Sequence, residues 1–534
     1  FLCSLSLLLT GCAEGETTSS QGGDLSNSGA SDSTHAEESA EEVAEPEDSG
    51  DDFEAEYNAV AEKYPDKTVL VWANVTKARY QDEVNEYLAE HGSDYVICFR
   101  SFNPAAGLTG ESDEAATYAE AVAQAIEDSQ QIDIISSGIR YFGMDSFYNI
   151  YHNCVVNGWF EPLDDYLENT EHGQELYNLM PENYWQSLTV NGSIYGFDGA
   201  GYCLKEEACY IINANLADEQ GVDLDNFAGE YDDSIRAIAD VCSENGWYFD
   251  VNILEQPAVY SDNQFIASMV YIDDNGQAAN FFESQPAEDL YNAICYGFDN
   301  GVILSAITDE WEEGTLFTKE NDFGLTTSSL CGGFINGNSC EKIPDGLGIG
   351  NTITTDAYYY YPAVSDMIYS AKSGVGVCSS SQYKDLAFEA ICEVMTNREL
   401  NNIICYGTDY EIVDGYAVTE EFYVAPLGLE SFAVKTPCRD SETIETVDRM
   451  KHALEDFELM DYAGFCFDTR PVAQQIIAVD TLMSEICNEF PSSQYATGED
   501  YLADLNARLY DAGLQDIIDE ANRQLEVYNN EENS

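Results

Sequence analysis

The chain has 534 residues, of which 44% are hydrophobic, enough to bury a substantial core spread over two or three domain-sized units. Acidic residues outnumber basic ones by 100 to 20, so the formal net charge is -80. Such a charge repels phosphate backbones and anionic headgroups, which argues against a nucleic-acid-binding protein. The acidity either attracts a cationic ligand or provides a solvated surface, and we favour the second interpretation.

The chain begins with an apolar run that ends in small residues and a cysteine. Residues 1–12 (FLCSLSLLLTGC) resemble the end of a bacterial lipoprotein signal peptide, in which residues 9–12 match the lipobox. Cleavage after Gly11 would leave a diacylglyceryl group on Cys12. No later segment is long and apolar enough to cross a bilayer. We therefore expect membrane attachment through the lipid alone, at the outer face of the cytoplasmic membrane.

A polar, acidic segment follows the lipobox. Residues 13–60 are rich in Ser, Gly, Glu and Asp and contain no Lys or Arg. This composition buries too little apolar surface to offset the entropy lost on ordering. We predict a disordered tether between the lipid and the folded part of the chain.

Beyond Cys12 the remaining fourteen of the 16 cysteines are scattered singly, and none forms a C-x-x-C pair. This spacing supports neither a zinc ribbon nor a thioredoxin-type motif. Many lie in apolar stretches, where a free thiol behaves as a small hydrophobic group. We therefore favour mostly reduced core cysteines, with Cys331–Cys340 and Cys203–Cys209 left open as disulfides.

Hydrophobic patterning from residue 68 onward predicts strands that alternate with amphipathic helices. Strands are predicted at 68–73, 95–102 and 132–136, and helices at 80–91 and 113–129. This order implies right-handed crossovers and a largely parallel sheet covered on both faces. The alternation then continues with strands at 208–212 and 376–379, helices at 215–220, 234–245 and 384–396, and one or two helices within 501–528.

Several local phrases resemble family 1 extracellular solute-binding proteins, the receptors of carbohydrate ABC importers. They are, in chain order, residues 132–138 (IDIISSG), 158–167 (GWFEPLDDYL), 191–197 (NGSIYGF), 210–216 (YIINANL), 384–407, 410–415 (YEIVDG) and 512–528. The resemblance implies an α/β, two-lobed periplasmic-binding-protein-like fold of type 2, with an interlobe hinge and extra C-terminal helices. We assign residues 66–200 and 325–365 to the N-terminal lobe, and residues 205–324 and 370–530 to the C-terminal lobe.

Ligands of α/β sheets sit beyond the carboxyl ends of the strands, which directs attention to the loops after the first and third strands. The resemblance points to the same loops, and it adds the first crossover between the lobes and parts of the second half. The candidate ligand-binding residues are Trp72, Asn74, Ser137, Gly138, Arg140, Tyr141, Asp198, Tyr202, Trp311 and Tyr360. Aromatic faces and polar side chains of these types suit sugar rings edged by hydroxyl groups.

Motifs of the common enzymes are missing from the sequence. It contains no H-E-x-x-H, G-x-S-x-G, P-loop or dinucleotide-binding fingerprint. Residues 273–276 (DDNG) are read as a hairpin turn rather than a calcium loop, because Tyr271 and Phe282 occupy the first and last ligand positions. We therefore expect no catalysis, no cofactor and no metal.

The function implied by the resemblance is capture of a sugar or oligosaccharide by hinge closure. The protein would then deliver the sugar to the membrane permease of an ABC importer, acting as a monomer. Two alternatives stay open at this point. One is a surface glycoside hydrolase, since acidic chains contain many carboxylate pairs. The other is a receptor of the same fold that binds peptides or cations.

Overall fold

The structure is a computed structural model. It describes residues 53–74, 78–102, 118–136, 150–199, 206–223, 231–250, 264–267, 269–303, 322–330, 340–342, 348–349, 352–353, 357–360, 367–368, 374–419, 429, 431, 433–438, 454–455, 458–487 and 497–532. Within these ranges, no helix is long and apolar enough to cross a membrane.

Helices and strands are numbered in chain order. The strands are β1 (Thr68–Asn74), β2 (Tyr95–Ser101), β3 (Ile134–Ser136), β4 (Thr189–Val190), β5 (Ser193–Ile194), β6 (Glu206–Asn213), β7 (Tyr248–Asp250), β8 (Gln264–Ala267), β9 (Val270–Ile272), β10 (Ala278–Asn280), β11 (Asp322–Leu330), β12 (Cys340–Lys342), β13 (Gly348–Ile349), β14 (Thr352–Ile353), β15 (Ala357–Tyr360), β16 (Met367–Ile368), β17 (Val375–Val377), β18 (Tyr410–Val413), β19 (Tyr416–Thr419) and β20 (Glu458–Leu459). The helices are α1 (Phe53–Lys63), α2 (Gln81–Glu90), α3 (Tyr118–Glu127), α4 (Ile150–Val156), α5 (Asp164–Asn169), α6 (Glu171–Tyr177), α7 (Glu182–Ser187), α8 (Ala214–Gln220), α9 (Tyr231–Asn245), α10 (Gln285–Asp299), α11 (Lys384–Thr396), α12 (Arg398–Tyr406), α13 (Ala473–Cys487), α14 (Gly498–Ala512) and α15 (Leu514–Glu532).

The first sheet has the strand order β17-β3-β1-β2, with β1, β2 and β3 parallel and β17 antiparallel to β3. Alternate residues of β1 enter different cores: Leu70 and Trp72 join a large core, whereas Val69 packs beneath α1. Burial on both faces explains why these strands are continuous apolar runs in the sequence. The strands predicted at 68–73, 95–102 and 132–136 are thus confirmed as β1, β2 and β3.

Helix α1 corrects the predicted tether, because it begins at Phe53, inside the segment assigned to disorder. Phe53, Tyr57 and Val60 recur at helical spacing and pack over Val69 and the outer face of β2. This apolar stripe stabilises the helix through tertiary contact. The acidic composition of the segment masked the stripe, and the predicted end of the tether at residue 60 is wrong.

The second sheet has the order β12-β15-β6-β11-β7, with β6 in its centre and antiparallel to both of its neighbours. Strands β8, β9 and β10 form a separate antiparallel meander. Helices α9, α10, α13, α14 and α15 share one hydrophobic core with these strands. We call this half the second lobe, and the half built on the first sheet the first lobe.

The predicted lobe boundaries are wrong in the second half of the chain. β11 and β15 pair with β6 and β12 pairs with β15, so these three strands belong to the second lobe. Conversely β17 pairs with β3, and α11 and α12 pack into the first core, so residues 375–406 belong to the first lobe. A short strand carries no sequence record of the sheet that it will join, which is why the assignment failed.

In the part of the chain that is described, the path changes core three times. The changes fall between Phe197 and Ile212, between Ile303 and Val375, and between Leu459 and Phe465. The prediction that the chain crosses between two α/β lobes more than once is therefore confirmed. The third crossing leads directly into α13, α14 and α15, so the C-terminal 501–528 stretch forms two helices separated by Gly513 at φ 108°.

Two smaller predictions can also be assessed. The DDNG stretch is the turn between β9 and β10, in which the Gly276 N–H donates to the Asp273 carbonyl at 2.8 Å. The nine cysteines whose side chains the structure describes are free, and all except the half-buried Cys466 are buried. The two disulfides left open involve Cys203 and Cys331, which lie outside the described residues.

Candidate functional site

The first lobe presents one polar edge, where its three parallel strands end. β1, β2 and β3 run in the same direction and finish at Asn74, Ser101 and Ser136. β17 runs the other way and starts at this edge, where Val375 pairs with Ser136. Both the first and the second crossing to the other lobe therefore meet the first sheet at this edge, which is the expected position of a ligand.

Hydrogen bonds tie the ends of β1 and β3 together. The Trp72 indole N–H donates to Ser136 Oγ at 2.8 Å, and the Asn74 amide donates to the same oxygen at 3.4 Å. Trp72 has 0% of its surface exposed and its ring packs on Phe99 at 5.7 Å. Trp72 thus supports the edge from within the core, and its role as a ligand contact stays a prediction.

Asp198 is buried at the start of the first crossing. Its backbone N–H donates to Tyr184 Oη and its carbonyl accepts from the same hydroxyl, both at 2.7 Å. The preceding residue, Phe197, exchanges two backbone hydrogen bonds with Val375, at 2.9 and 2.8 Å. These contacts fix the backbone of Asp198 beside Ser136, so Trp72, Asn74 and Asp198 belong to one edge.

Tyr151 contacts the chain at both the first and the second crossing, near Tyr195 and Gly374. It is fully buried, donates to the Leu188 carbonyl at 2.7 Å and accepts from the Tyr195 N–H at 3.0 Å. Burial raises the pKa of its phenol, so it stays protonated. A Cβ added at Gly374 would lie 2.9 Å from the Tyr151 ring, so the second crossing needs glycine there. The first lobe therefore offers a rigid base to both crossings.

An arginine lies at the end of β2. The Arg100 guanidinium carbon sits 4.3 Å from the Phe53 ring centroid and 4.2 Å from that of Phe102. Its Nη1 is buried and has no hydrogen-bond partner. Desolvation lowers the pKa of Arg100, although an arginine with a lowered pKa remains charged near neutral pH. Cation–π contacts stabilise this charge.

The remaining predicted site residues cannot be placed. Ser137, Gly138, Arg140, Tyr141, Tyr202 and Trp311 lie outside the described residues, as does Cys12. Tyr360 is described through its backbone, which pairs with Tyr210 in the second sheet and not with the first. Their roles as ligand contacts, and the lipidation of Cys12, therefore stay predictions.

Sequence reasoning missed four residues of this edge: Arg100, Phe102, Ser136 and Tyr184. Arg100 and Phe102 lie at the end of β2, a strand to which the rule that located Asn74 was not applied. Ser136 is the last residue of β3, where the rule was applied only to the loop beyond the strand. Tyr184 had no such signal, because it reaches Asp198 from helix α7, 14 residues away in the chain.

The side chains at the edge differ in their chemical character. It offers an amide, hydroxyl groups, aromatic rings, a carboxylate and a guanidinium, which are hydrogen-bonding and stacking groups. Across the described ranges, no cluster of three or more His, Cys, Asp or Glu side chains could hold a metal ion.

The sequence comparisons give a partial match. A family model described as a domain of unknown function, DUF3502, matches residues 461–530. This segment begins in the third crossing and covers α13, α14 and most of α15. Curated proteins give no match to the chain.

Solved structures resemble the chain over most of its length. The N-glycan transport solute-binding protein NgtS from Streptococcus pneumoniae is 14% identical with a TM-score of 0.62, covering 86% of this chain and 99% of its own. NgtS in complex with Man1GlcNAc is 15% identical with a TM-score of 0.56, over the same shares. The alginate-binding protein AlgQ2 without calcium ion is 11% identical with a TM-score of 0.50, covering 86% of this chain and 98% of its own.

These likenesses define the fold class. The chain has the two-lobed α/β fold of sugar-binding solute-binding proteins, which confirms the predicted fold class. At such low identity the likeness concerns the fold, and the ligand has to be argued from the residues of this chain.

Proposed function

We propose that this protein is the extracellular substrate-binding component of an ABC importer, which captures a sugar or oligosaccharide and delivers it to a membrane permease. One observation carries the proposal: the polar edge where three parallel strands end is also the edge from which two crossings lead to a second α/β lobe. A ligand held there would contact both lobes, and its differential affinity would drive closure.

The residue types at the edge support a sugar ligand. Aromatic rings can stack on the apolar faces of a pyranose, while amide and carboxylate groups pair with its hydroxyls. Asn74 and Asp198 supply the polar groups, and Phe102 supplies a ring beside them. We extend the site to Ser137, Gly138, Arg140, Tyr141, Tyr202, Trp311 and Tyr360 as proposed contacts. NgtS, which has the same fold, is an N-glycan transport protein with Man1GlcNAc and Man5GlcNAc complexes, so mannose-containing glycans are the first ligands to test.

The remaining features of the proposal concern how the protein works in the cell. A diacylglyceryl group on Cys12 would hold it at the outer face of the cytoplasmic membrane. The protein would act as a monomer, bind without turnover and need no metal or cofactor. The fold likeness supports binding rather than catalysis, since the similar structures are transport and binding proteins.

Thermal unfolding in the presence of oligosaccharides tests the proposal. A ligand at about one hundred times its Kd stabilises the folded state by about 2.7 kcal/mol, which is readily seen as a shift in Tm. A panel of N-glycan fragments, plant oligosaccharides, oligopeptides and polyamines separates a sugar receptor from a peptide or cation receptor. Mass spectrometry of the sugars after incubation checks for cleavage. A shift by peptides or polyamines alone, or release of shorter glycans, would replace the proposal with one of these alternatives.

A matched pair of variants tests the site. Asp198→Asn keeps the size of the side chain and both backbone hydrogen bonds to Tyr184, yet removes the charge. A hydrogen bond to a charged group contributes about 1.5 to 3 kcal/mol, so we expect sugar affinity to fall at least about tenfold. Asp165→Asn, on the exposed surface of the same lobe, should leave affinity unchanged. Equal affinity of the two variants would remove Asp198 from the site.

A further inference from the structure

The third crossing differs from a simple linker, because it is buried between the two cores. We call residues 460–468 the seam. Phe465 and Phe467 enter the second core, whereas Cys466 between them packs against the first core. Residues 461–464 form a turn, and beyond it the alternation at 465–467 is the period of an extended backbone whose two faces are both covered. The seam therefore belongs to the packing of both lobes.

Two glutamines bind the seam to the second lobe in the same way. The Gln264 amide on β8 donates to the Tyr462 carbonyl at 2.6 Å and accepts from the Tyr462 N–H at 3.2 Å. The Gln524 amide on α15 donates to the Asp468 carbonyl at 2.8 Å and accepts from the Asp468 N–H at 2.8 Å. Each side chain thus pairs with both backbone groups of one residue, as a neighbouring strand would.

Aromatic contacts strengthen this attachment. The Tyr528 ring on α15 lies 5.5 Å from the Phe465 ring in an edge-to-face arrangement and 6.4 Å from the Tyr462 ring. Tyr462 also fills the space above Gly276 in the β9–β10 turn, where an added Cβ would lie 2.2 Å from its hydroxyl. α15 is itself fixed to β10, because the Asn522 amide pairs with the Ala278 N–H and carbonyl at 2.8 and 3.0 Å.

Among the described residues, a weaker hydrogen bond joins the seam to the first lobe. The Cys466 thiol donates to the His152 carbonyl at 3.7 Å, and thiols are weak donors. The residues just before the seam are attached to the first lobe instead. Leu459 packs on the first core, and β20 pairs with β16. The attachment of the backbone thus changes from the first to the second lobe between Leu459 and Tyr462.

We propose that the C-terminal helices α13, α14 and α15, together with Gln264 on β8, form a brace that makes the seam part of the second lobe and confines the pivot of the third crossing to the backbone between Leu459 and Tyr462. This gives a role to the segment that matches the domain of unknown function. The brace acts whichever ligand the protein binds, so its test needs no ligand.

Hydrogen exchange measures whether the glutamines hold the seam. In Gln524→Ala the Asp468 amide loses its acceptor, so we expect exchange across residues 460–468 to accelerate by about tenfold or more. Gln515→Ala is the matched control, because Gln515 is an exposed glutamine of the same helix that bonds only to Asp519. The control should exchange as wild type does, and residues 454–459 should be unaffected in both. Wild-type exchange of the seam in Gln524→Ala would overturn the proposal.

Interlobe distances measure whether the brace restricts the pivot. Spin labels carried by noncanonical amino acids at the exposed positions Glu168 and Glu244 report on the two lobes without using cysteines. In the ligand-free Gln264→Ala/Gln524→Ala protein we expect the distance distribution to widen by about twofold, with Gln515→Ala unchanged. An unchanged width would refute the brace even if seam exchange had accelerated.

Should the double variant fail to fold, Gln524→Glu provides the second measurement. Its carboxylate can still accept from the Asp468 N–H but cannot donate to the carbonyl, so half of the pairing survives. Seam exchange in this variant should lie between those of wild type and Gln524→Ala. Exchange equal to wild type would contradict the role assigned to the glutamine amide.

Discussion

His152 lies on α4 beneath the seam, with its ring buried beside Tyr151 and its carbonyl accepting from Cys466. Burial lowers the pKa of His152 from 6.5 to about 3, because the core disfavours the charged ring. As the pH falls below about 6.5, this imidazole therefore becomes protonated in the unfolded chain but stays neutral in the folded protein.

The pH dependence of stability follows from this difference. Since folding lowers the pKa of His152, its contribution to the free energy of unfolding is complete above pH 6.5. That contribution is lost as the pH falls toward 3. Within that window the free energy of unfolding should fall by about 1.4 kcal/mol more per pH unit in wild type than in His152→Gln. Urea unfolding of both proteins at several pH values measures the difference, in which the shared carboxylate contributions cancel. Parallel pH profiles would contradict the burial of a neutral ring.

The buried thiols should be unreactive in the native state. Burial raises the pKa of Cys295 to about 11 and that of Cys466 to about 12, and it raises those of Cys154, Cys242 and Cys392 as well. Since the thiolate is the reactive form, we expect negligible alkylation of these five at about pH 8.

Peptide mass spectrometry after iodoacetamide treatment, with and without urea, compares the two states of the chain. All nine cysteines whose side chains the structure describes should react once the chain is unfolded. Rapid native labelling of Cys242 would show that its helix opens readily.

For single residues, the sequence predicted where a side chain lies in the fold better than it predicted what that side chain contacts. Asn74 lies at the predicted edge, because strand ends can be read from the hydrophobic pattern. Asp198 lies there too, but it was predicted from the family resemblance of the first crossover. The burial of Trp72 beneath Ser136 could not be read, since an aromatic residue at a strand end packs inward or outward according to neighbours distant in sequence. The aromatic environment of Arg100 could not be read either, because its partner Phe53 belongs to a helix assigned to the tether.

Secondary-structure elements in this fold repeatedly use a side-chain amide to cover a sheet edge. Asn85 on α2 donates to the Ile97 carbonyl at 2.8 Å and accepts from the Ile97 N–H at 2.7 Å, where β2 is the outermost strand. Asn522 does the same for Ala278 on the outermost strand β10. An edge strand otherwise exposes unpaired backbone groups that invite pairing with another chain.

Removing such a side-chain amide should lower the free energy of unfolding. Asn85→Ala leaves the buried N–H and carbonyl of Ile97 without partners, at about 1 to 3 kcal/mol each in the free energy of unfolding. Asn245→Ala, an exposed helical asparagine bonded to its own helix, is the matched control and should change stability by less than about 0.5 kcal/mol. Chemical denaturation measures both, and equal stabilities would show that water replaces the amide at Ile97.

Elements themselves were predicted accurately where the pattern was periodic. Helix α11 has the predicted bounds, 384–396, because its apolar positions recur at helical spacing. The sheet to which β11, β15 and β17 belong could not be predicted, since their pairing depends on crossings far apart in the chain. Helix α1 was missed because composition was weighed above the spacing of three apolar residues.

The whole molecule carries a formal charge of -80, and self-repulsion at that charge opposes compactness. Raising the ionic strength from about 10 mM to about 300 mM shortens the Debye length from about 30 Å to below 8 Å, so Tm should rise. Scanning calorimetry in NaCl and KCl tests this, because screening depends on ionic strength and the two salts should agree. A salt-independent Tm would mean that the acidic side chains are too dispersed to repel one another.

The direction of α1 has a consequence for the molecule as a whole. The helix runs antiparallel to β1, which places Phe53 beside Arg100, next to the carboxyl ends of the strands. The described part of the chain therefore begins beside the polar edge of the first lobe, at the end of the sheet where its parallel strands finish.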